Sequence, residues 1–412
     1  ALKAEPYFYK GPLEVIANNT AAANVVDDEN VLQPGEVTFS RHENYLLHRE
    51  ILEGQYRAGT PFGYIFGETG PFFIARPVIG GSGHITSKGE FIISPRADWT
   101  AGTVGGLTVK GRTLINSRDE PHAQAEKFLR YHHIAGDTNI TDNITELKIA
   151  FTYWVLRLVE RGWKAPDWLK MSDGRLLEMA SCINRDPVLE KVYRNGRKEF
   201  TACDILLTYL DAVDKNRSVL QFDAEDDVIF GKVASYLKRA KDGPDFLFKE
   251  SEWATKYLMM RSKMKRMGVQ SFNHAVLRKF SVALHNVDAD PEENDFSVLR
   301  HRILPPNLNI ADLNKACKEA PRTRAFTRGL AIYLANKFGL EISFASAIEW
   351  SGFVLASPRG TTDSKFCSLN QTAPWELRKE DIKDVVTSIH RFAQDEKAYV
   401  QTDPPEEPFY RV

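Results

Sequence analysis

The amino-acid sequence changes its pattern once, near Pro121, and this change limits the folds open to the chain. From residue 37 to 115, glycines recur every few residues and separate short apolar runs such as Phe72-Phe73-Ile74, a spacing typical of strands and hairpins. Beyond Pro121, apolar residues recur at intervals of three and four, which predicts amphipathic helices. We therefore expect an α+β fold, mainly α with a β-rich N-terminal portion, built as two lobes with extended terminal arms.

The helix with the strongest signal lies between Asn143 and Arg161. Its apolar side chains fall on one face, Asn143 and Glu146 can cap its start, and Gly162 ends it. Weaker periodic segments predict further helices at 42–53, 187–195, 202–214, 224–241, 246–267, 272–286, 310–319, 322–338, 343–352 and 374–398. In the β-rich part, the sequence predicts a hairpin that turns at Lys88-Gly89-Glu90.

Chain length and proline placement indicate how the chain divides. At roughly 100 to 200 residues per domain, 412 residues indicate more than one domain. The predicted parts are an extended N-terminal arm over 1–36, an N-terminal domain over 37–243 that is β-rich at 37–115 and helical at 121–243, a helical C-terminal domain over 244–400, and an extended tail over 401–412. Prolines exclude a long helix in either arm, and each arm either lies across a neighbouring subunit or is a frayed tail.

The sequence contains no recognisable catalytic or cofactor signature. The glycines of 63–70 are not followed by the lysine of a Walker loop, and Gly80-Gly81-Ser82-Gly83 lacks the third glycine of a dinucleotide fingerprint. His42-Glu43 lacks the second histidine that a helical zinc protease requires. The adjacent His132 and His133 point away from each other in any regular element. We therefore predict no catalytic residue, no cofactor and no metal site.

The spacing of the cysteines and the lengths of the apolar runs indicate the compartment. The four cysteines form no C-x-x-C pair, which favours a reducing compartment over a disulfide framework. No apolar run approaches the roughly 18 to 20 residues that span a bilayer, and the first residues do not resemble a secretory signal. We expect no membrane span.

Charge is balanced overall, at −1, but it is unevenly distributed. Both ends are acidic, whereas the stretch from 256 to 279 has seven basic residues and no Asp or Glu. A second basic cluster follows near residue 320. A basic run is often only a solvated helix face, but aromatic residues such as Tyr257 and Phe272 lie among these cations, a mixture suited to phosphates and stacked bases. The predicted nucleic-acid-binding residues are Lys256, Arg261, Lys263, Lys265, Arg266, Arg278, Lys279, Arg322, Arg324 and Arg328.

Acidic arms, a two-part folded middle and a basic groove together favour a self-assembling viral structural protein that is not an enzyme. The hypothesis is a nucleoprotein or capsid subunit that packages genomic RNA and forms a large homo-oligomer, in the virion and the host cytoplasm. This plan resembles, in architecture only, the two-lobed RNA-virus nucleoproteins, and no motif carries a site residue over. Two alternatives remain open: a cytoplasmic enzyme or regulatory module whose active site is not visible from sequence, and an adaptor that binds a protein through its acidic ends.

Overall fold

The structure is a computed structural model in which two compact units can be distinguished. The larger unit comprises residues 2–119 and 130–307, and the smaller unit contains 120–129 and 308–412. The residues described are 7–10, 14–17, 20–26, 32–38, 41–54, 60–86, 88–107, 111–121, 123–283, 323–342, 352–356, 364–368 and 376–395. None of the helices in these ranges is both long enough and apolar enough to cross a membrane.

The larger unit begins with two β-hairpins. Strand β1 (Tyr7–Lys10) pairs with β2 (Glu14–Ala17), and β3 (Thr20–Val26) pairs with β4 (Leu32–Thr38), both antiparallel. These hairpins occupy the described part of the predicted N-terminal arm, where a single extended segment was expected. Prolines exclude a helix in this region but not a strand. In a two-stranded hairpin, one side of each strand makes no ladder hydrogen bonds, so the backbone nitrogen of Pro34 can lie on that side without loss.

A four-stranded mixed sheet follows. The strands that the described part of the unit adds are β5 (Arg41–His48), β6 (His84–Ile85), β7 (Phe91–Ile92), β8 (Gly102–Gly105), β9 (Thr113–Asn116), β10 (Phe128–Gly136, of which residues 130–136 belong to this unit), β11 (Tyr193–Asn195) and β12 (Lys198–Phe200). The sheet has the order β5-β10-β9-β8, with β9 parallel to β8 and antiparallel to β10. The short pairs β6-β7 and β11-β12 form separate hairpins, and the first of these confirms the predicted turn at Lys88-Gly89-Glu90.

Helices of the larger unit enclose an apolar core beside this sheet. Those described are α1 (Arg49–Glu53), α2 (Pro61–Ala75), α3 (Pro77–Gly80), α4 (Asp142–Glu160), α5 (Asp173–Asn184), α6 (Ala202–Lys215), α7 (Arg217–Leu220), α8 (Ala224–Lys241), α9 (Glu252–Met267) and α10 (Ala275–Ala283). Helix α2 is central, since α4, α5 and α6 all pack against it. Its Phe72 ring meets Phe151 and Tyr209 edge to face, a favourable geometry for buried rings.

Helix α2 corrects the sequence prediction for this region. The run Phe72-Phe73-Ile74, read as a strand, lies within this helix. Thr60 accepts a hydrogen bond from the Gly63 amide, and Pro61 stands at the first helical position, so the N-terminus is well capped. Residues 68–75 are all buried. A helix buried on every side shows no single apolar stripe, which is why its period is hidden in the sequence.

Strand β10 also differs from the prediction, because it lies beyond Pro121 where the sequence favours helices. All nine of its residues are buried, so the alternation that marks a half-buried strand is absent. The predicted helix at 187–195 is wrong as well. Its last residues form β11, which turns into β12 through a two-residue loop with Gly196 at a φ of 58°, the backbone region where glycine is favoured. Helix α5 is not predicted at all.

Several helix predictions are confirmed. Helix α4 matches the prediction for Asn143–Arg161, and α6 and α8 match those for 202–214 and 224–241. Helices α9 and α10 are shorter than predicted. The predicted 42–53 helix is confirmed only at its end, in α1, because β5 occupies the rest. The predicted helix at 310–319 lies outside the described residues, as does 343–352 apart from its last residue.

The smaller unit combines two helices with a three-stranded antiparallel sheet. Its described elements are α11 (Arg324–Lys337), β13 (Glu341–Ile342), β14 (Gly352–Ala356), β15 (Ser364–Ser368) and α12 (Lys379–Asp395), and β14 lies between the other two strands. Leu334, Phe353 and Ile389 belong to its core. Helices α11 and α12 confirm the predictions for 322–338 and 374–398. The α+β fold class is thus correct, while the domain boundaries drawn from the sequence remain a prediction.

Candidate functional site

The sheet of the larger unit separates two groups of polar side chains. In the β9-β10 register, His132 is opposite Asn116 and His133 is opposite Ile115. Successive side chains of a strand point to opposite faces, so His132 and His133 are on different faces of the sheet. We call the face that carries His133 the inner face, because Arg76 at the end of α2 contacts it there, and the face that carries His132 the outer face.

A salt bridge organises the inner face. Arg76 donates to Glu43 from Nη1, at 2.5 Å from Oε2, and from Nη2, at 3.2 Å from Oε1. The same guanidinium donates to the Thr152 hydroxyl at 3.0 Å and to Nδ1 of His133 at 2.8 Å. Tyr45 donates its hydroxyl to Glu43 at 2.7 Å. The salt bridge thus connects β5, β10, α4 and the end of α2.

The charge of Glu43 is maintained by its neighbours. Burial raises the pKa of this carboxyl, but Arg76 and then Lys148 outweigh burial and hold the pKa well below its usual range. Burial lowers the pKa of His133 well below its usual value, and the nearby Arg76 lowers it further. His133 is therefore neutral, and because its Nδ1 accepts from Arg76, its proton is on Nε2.

Lys148 and Asp137 continue this buried network. Lys148 donates from Nζ to the Asp137 carbonyl at 2.7 Å and to Oδ1 of Asn139 at 2.5 Å, and burial lowers the pKa of Lys148 to about 8. The Asp137 carboxylate accepts from the backbone amides of Ser82 and Arg96 and from the hydroxyl of Ser94. These contacts fix the end of β10 against two loops, which suits a structural role.

The outer face carries a relay of cationic and imidazole groups. Arg130 donates from Nη2 to Nδ1 of His132 at 2.7 Å, and Nε2 of His132 is 3.2 Å from Nδ1 of His42. A guanidinium can only donate, so Nδ1 of His132 accepts and Nε2 of the neutral ring holds the proton. That proton is donated to His42, and His42 then has its own proton on Nε2. The relay therefore ends in an N–H donor on an exposed residue.

Arginines dominate the electrostatics of the outer face. Burial lowers the pKa of His42, and Arg96, Arg130 and Arg112 each lower it further. Burial also lowers the pKa of Arg96 to about 10, with a further decrease from Arg112 and an opposing effect of Asp137. Arg96 is held in place by a hydrogen bond of 3.1 Å from Nε to the Ile134 carbonyl. The three arginines thus create a positive potential around His42.

Asn116 adds a donor to this face. It is fully buried, and its Oδ1 accepts from the Arg118 amide at 3.0 Å. Its Nδ2 has no hydrogen-bond partner among the residues that the structure describes, and an unsatisfied buried donor costs about 1–3 kcal/mol. Cations, an imidazole N–H and an amide N–H in one place fit the oxygens of an anion, above all those of a phosphate. We call this set, His42, Arg96, Arg112, Asn116, Arg130 and His132, the outer-face cluster.

Comparison with known proteins assigns the chain to a family. The model of the Pup-ligase protein family matches residues 23–353. The chain belongs to the Pup-ligase family. A depupylase of Acidothermus cellulolyticus is 31% identical over 334 residues, which are 78% of this chain and 62% of that protein. A Pup–protein ligase of Corynebacterium diphtheriae is 30% identical over 319 residues, 74% of this chain and 63% of that protein. The chain thus spans less than two thirds of the length of these relatives.

Solved structures of the Pup-ligase family share the fold. The Pup ligase PafA of the prokaryotic ubiquitin-like modification pathway, in complex with ADP, superposes with a TM-score of 0.71 and 21% identity, covering 93% of this chain and 78% of PafA. A complex between Pup and its ligase PafA gives a TM-score of 0.70 with 22% identity, covering 93% of this chain and 72% of that one. At this identity the likeness establishes the fold alone.

Membership of the Pup-ligase family overturns the functional hypothesis drawn from the sequence. The prediction of a viral nucleoprotein or capsid subunit is wrong, and so are a location in the virion and a non-enzymatic role, because the relatives are bacterial ligases and depupylases. The predicted partners, RNA and a coat-like homo-oligomer, are wrong for the same reason, since the family is named for Pup. The hypothesis failed because a local excess of basic residues does not identify the anion that they bind.

Two of the predicted phosphate contacts, Lys256 and Arg278, donate hydrogen bonds to the protein backbone. Lys256 is buried and donates from Nζ to the Gly83 carbonyl at 2.5 Å, and burial lowers its pKa to about 7. Arg278 donates to the Thr86 carbonyl at 2.9 Å. Both cations attach α9 and α10 to the segment around β6, so their charge serves the fold.

The other predicted site residues are distributed over the surface and over both units. Arg261 lies over the Tyr257 ring at 5.6 Å and Lys263 over the Phe280 ring at 5.4 Å. Lys265, Arg266 and Lys279 are exposed, and Arg328 is half-buried in the smaller unit. Arg322 lies outside the described residues, as does the side chain of Arg324.

The two aromatic residues proposed to stack on bases are engaged elsewhere. The ring centroids of Tyr257 and Phe272 are 5.1 Å and 5.6 Å from that of Phe91, and the two rings are 6.1 Å apart. Tyr257 is also buried. The three rings form a packed cluster under α9 rather than a stacking platform.

Sequence reasoning missed the outer-face cluster, although it considered part of it. His42-Glu43 was tested only against a helical zinc motif, and His132-His133 only as an adjacent pair. One signal was available: in both Arg41-His42-Glu43 and Arg130-Tyr131-His132-His133, ionisable residues fall on both faces of a strand, which is unusual in a buried sheet. The pairing that brings β5 beside β10 could not be read from the sequence.

Proposed function

We propose that this chain carries the nucleotide-phosphate site of an enzyme that forms or cleaves the bond between Pup and a protein. The observation that carries the proposal is the outer-face cluster, in which three arginines surround the imidazole of His42. The solved relative PafA, which has the same fold, is in complex with ADP. A diphosphate is an anion of the kind that this cluster fits.

Each member of the cluster has a distinct role in this proposal. Arg96, Arg112 and Arg130 neutralise phosphate charge, His42 donates a hydrogen bond from Nε2, and Asn116 donates from Nδ2. A bound nucleoside triphosphate supplies a phosphoryl group that can activate a carboxylate. The inner-face salt bridge of Glu43 and Arg76 holds β5 and β10 in register, so the donors are already oriented before a ligand arrives.

Pup is the partner that we propose in place of RNA. The relatives include a ligase, which joins Pup to proteins, and depupylases, which remove it. Both directions require that a protein surface recognise Pup. We propose further that the exposed cations of α9 and α10 bind carboxylates of a protein segment.

For the architecture, we propose that the two-lobed plan with terminal arms describes the whole chain.

The test combines binding and turnover on the full chain. ADP binding is measured by titration calorimetry, and purified Pup with a protein substrate and ATP is assayed for both attachment and release. We expect the wild-type chain to bind ADP and to carry out one of the two reactions. Arg130→Gln should lose both ADP binding and that reaction. Arg175→Gln, which changes an exposed arginine of the same unit, serves as the matched control.

The outcomes separate the two parts of the proposal. If ADP does not bind, or binds equally well to Arg130→Gln, the phosphate site is elsewhere. If ADP binds at this site but Pup is neither attached nor released, the proposed activity is wrong while the phosphate site stands.

A further inference from the structure

Arg96 joins the outer-face cluster from a short irregular segment, residues 93–97, which follows β7. Residues 93–96 belong to no helix or strand, and a turn of 3₁₀ helix, Ala97–Trp99, comes next. Ser94, Pro95 and Arg96 are nevertheless buried. Buried backbone outside regular structure needs hydrogen-bond partners from other parts of the fold. The partners of this segment therefore decide where the Arg96 side chain lies.

Asn184, the last residue of α5, provides the first set of partners. Its Oδ1 accepts from the Ser94 amide at 2.7 Å, and its Nδ2 donates to the Ser94 carbonyl at 3.0 Å. The Asn184 carbonyl accepts from the Ile93 amide at 2.9 Å. Asn184 is 1% exposed, so loss of its side chain would leave buried polar groups without partners. One side chain of α5 thus binds both polar groups of the Ser94 backbone.

Asp137 holds the same segment from the end of β10. Its Oδ1 accepts from the Ser94 hydroxyl at 2.9 Å and from the Arg96 amide at 3.2 Å. The Ser94 hydroxyl oxygen accepts in turn from the Ala97 amide at 3.0 Å. Ser94 is therefore the residue at which the ends of α5 and β10 meet, two positions before Arg96.

Packing leaves this part of the chain incompletely supported. A cavity of about 140 Å³ lies beside the 3₁₀ turn. Its lining residues include Ala97, Asp98, Thr100, Leu177, Ala180 and Ser181. Protein interiors are otherwise close-packed, so a segment next to a cavity can shift unless hydrogen bonds hold it. Arg185 also joins α5 to Asp98 at 2.6 Å, but this salt bridge is partly exposed and contributes little.

We propose that Asn184 is a positioning residue for Arg96, because its hydrogen bonds to the Ser94 backbone set the place of the Arg96 guanidinium in the outer-face cluster. The inference rests on the nucleotide-phosphate site proposed above and adds to it a residue of α5, a helix that supplies no member of the cluster. A binding group must be held within about 0.5 Å of its productive position. Beside a cavity, the bonds of Asn184 provide that precision.

A double-mutant cycle in the full chain tests the proposal. ADP affinity is measured by titration calorimetry for the wild-type chain, Asn184→Ala, Arg96→Gln and the double variant, at a temperature at which circular dichroism shows all four folded. Tyr209→Phe is the matched control. The Tyr209 hydroxyl is also buried and donates to a backbone carbonyl, that of Glu68 in α2, at 2.6 Å.

We expect Arg96→Gln to weaken ADP binding at least tenfold and Asn184→Ala at least fivefold, while Tyr209→Phe stays within twofold of the wild-type chain. In the Arg96→Gln background, Asn184→Ala should change the affinity less than twofold, because the residue through which Asn184 acts is gone. Unchanged affinity in either single variant would overturn the proposal. So would an equal loss from Asn184→Ala with and without Arg96.

Asn184→Asp replaces Asn184→Ala in the cycle if the alanine variant does not fold. It keeps the size of the side chain and the acceptor for the Ser94 amide, and it loses the donor to the Ser94 carbonyl. ADP affinity should again fall only while Arg96 is present. Repulsion between the new carboxylate and phosphate would persist in the Arg96→Gln background, and a loss that persists there would contradict the proposal.

Hydrogen exchange of the Arg96 side chain tests the positioning without nucleotide. Its Nε donates to the Ile134 carbonyl and the residue is 3% exposed, so this N–H should exchange slowly with solvent. In NMR spectra, Asn184→Ala should speed the exchange at least tenfold, and Tyr209→Phe should leave it unchanged. Equal rates in Asn184→Ala and the wild-type chain would overturn the proposal. Failure of the wild-type chain to bind ADP would instead overturn the proposed phosphate site, and the exchange rates would still decide the role of Asn184.

Discussion

The two faces of the central sheet use charge in opposite ways. On the inner face, Arg76 is paired with Glu43, and burial of the pair is compensated by further hydrogen bonds. On the outer face, three arginines gather around His42 and lower its pKa. The inner-face pair can serve the fold, whereas the cations around His42 suit a ligand that carries negative charge. The same four strands thus provide both a rigid support and a site.

The largest expected effect comes from breaking the inner face. Glu43→Gln keeps the shape of the side chain but leaves Arg76 and Lys148 buried without their counter-charge. The free energy of unfolding, measured with urea, should fall by about 3–5 kcal/mol. Asp167→Asn is the control, since Asp167 pairs with Lys170 and its side chain is 97% exposed, and it should change little. A loss in Glu43→Gln no larger than in the control would remove the structural role of the inner face.

A change on the outer face should instead separate binding from stability. Arg112→Gln removes one of the three cations around His42. We expect ADP affinity to fall at least tenfold, a difference of about 1.4 kcal/mol, with the urea midpoint little changed because Arg112 is only half-buried. Arg175→Gln should leave both unaltered. An unchanged ADP affinity, or a clear loss of stability, would show that the faces do not differ as described.

A pH dependence of stability comes from His133 on the inner face. Its pKa in the folded chain lies well below the ordinary 6.5, so below pH 6.5 the unfolded chain takes up a proton that the folded chain does not. Stability should therefore fall as pH decreases from 7 to 5, by up to about 1.4 kcal/mol per pH unit for this one group. Urea titrations at pH 7, 6 and 5 give the free energy of unfolding at each pH. The slope of this free energy against pH should be smaller for His133→Asn than for the wild-type chain. An identical slope in both proteins would contradict the neutral, buried state of His133.

The sequence predicts an element correctly where a single residue pattern determines the structure of that element. Helix α4 is recognisable because its apolar stripe is regular and Gly162, with a φ of 88°, follows its last turn, although its N-cap is Thr141 and not the predicted Asn143. The β6-β7 hairpin is recognisable because its turn contains Gly89, which adopts a φ of 80°. Helix α2 and strand β10 were not recognisable, because burial on all sides removes the alternation on which such predictions depend. The predictions from local composition were therefore wrong for helix α2 and strand β10, the two elements that support the site.

The outer-face cluster could not be predicted for a further reason. His42 and His132 are 90 residues apart, and only the pairing of β5 with β10 brings Nδ1 and Nε2 to 3.2 Å. The basic run at 256–279 was visible because its residues are adjacent in sequence, yet Lys256 and Arg278 turn out to bind backbone carbonyls. Proximity in sequence drew attention to cations that support the fold, while the cations of the candidate site were dispersed.

The central claim, that the outer-face cluster binds nucleotide phosphates, is tested most directly by NMR of the histidine side chains. The imidazole ¹⁵N resonances of His42, His132 and His133 are followed while ADP is added at several pH values. A phosphate beside His42 stabilises its protonated form, so the account predicts that the pKa of His42 rises and its Nε2 resonance shifts, while His133 is unaffected. Unchanged His42 and His132 resonances at saturating ADP would contradict it.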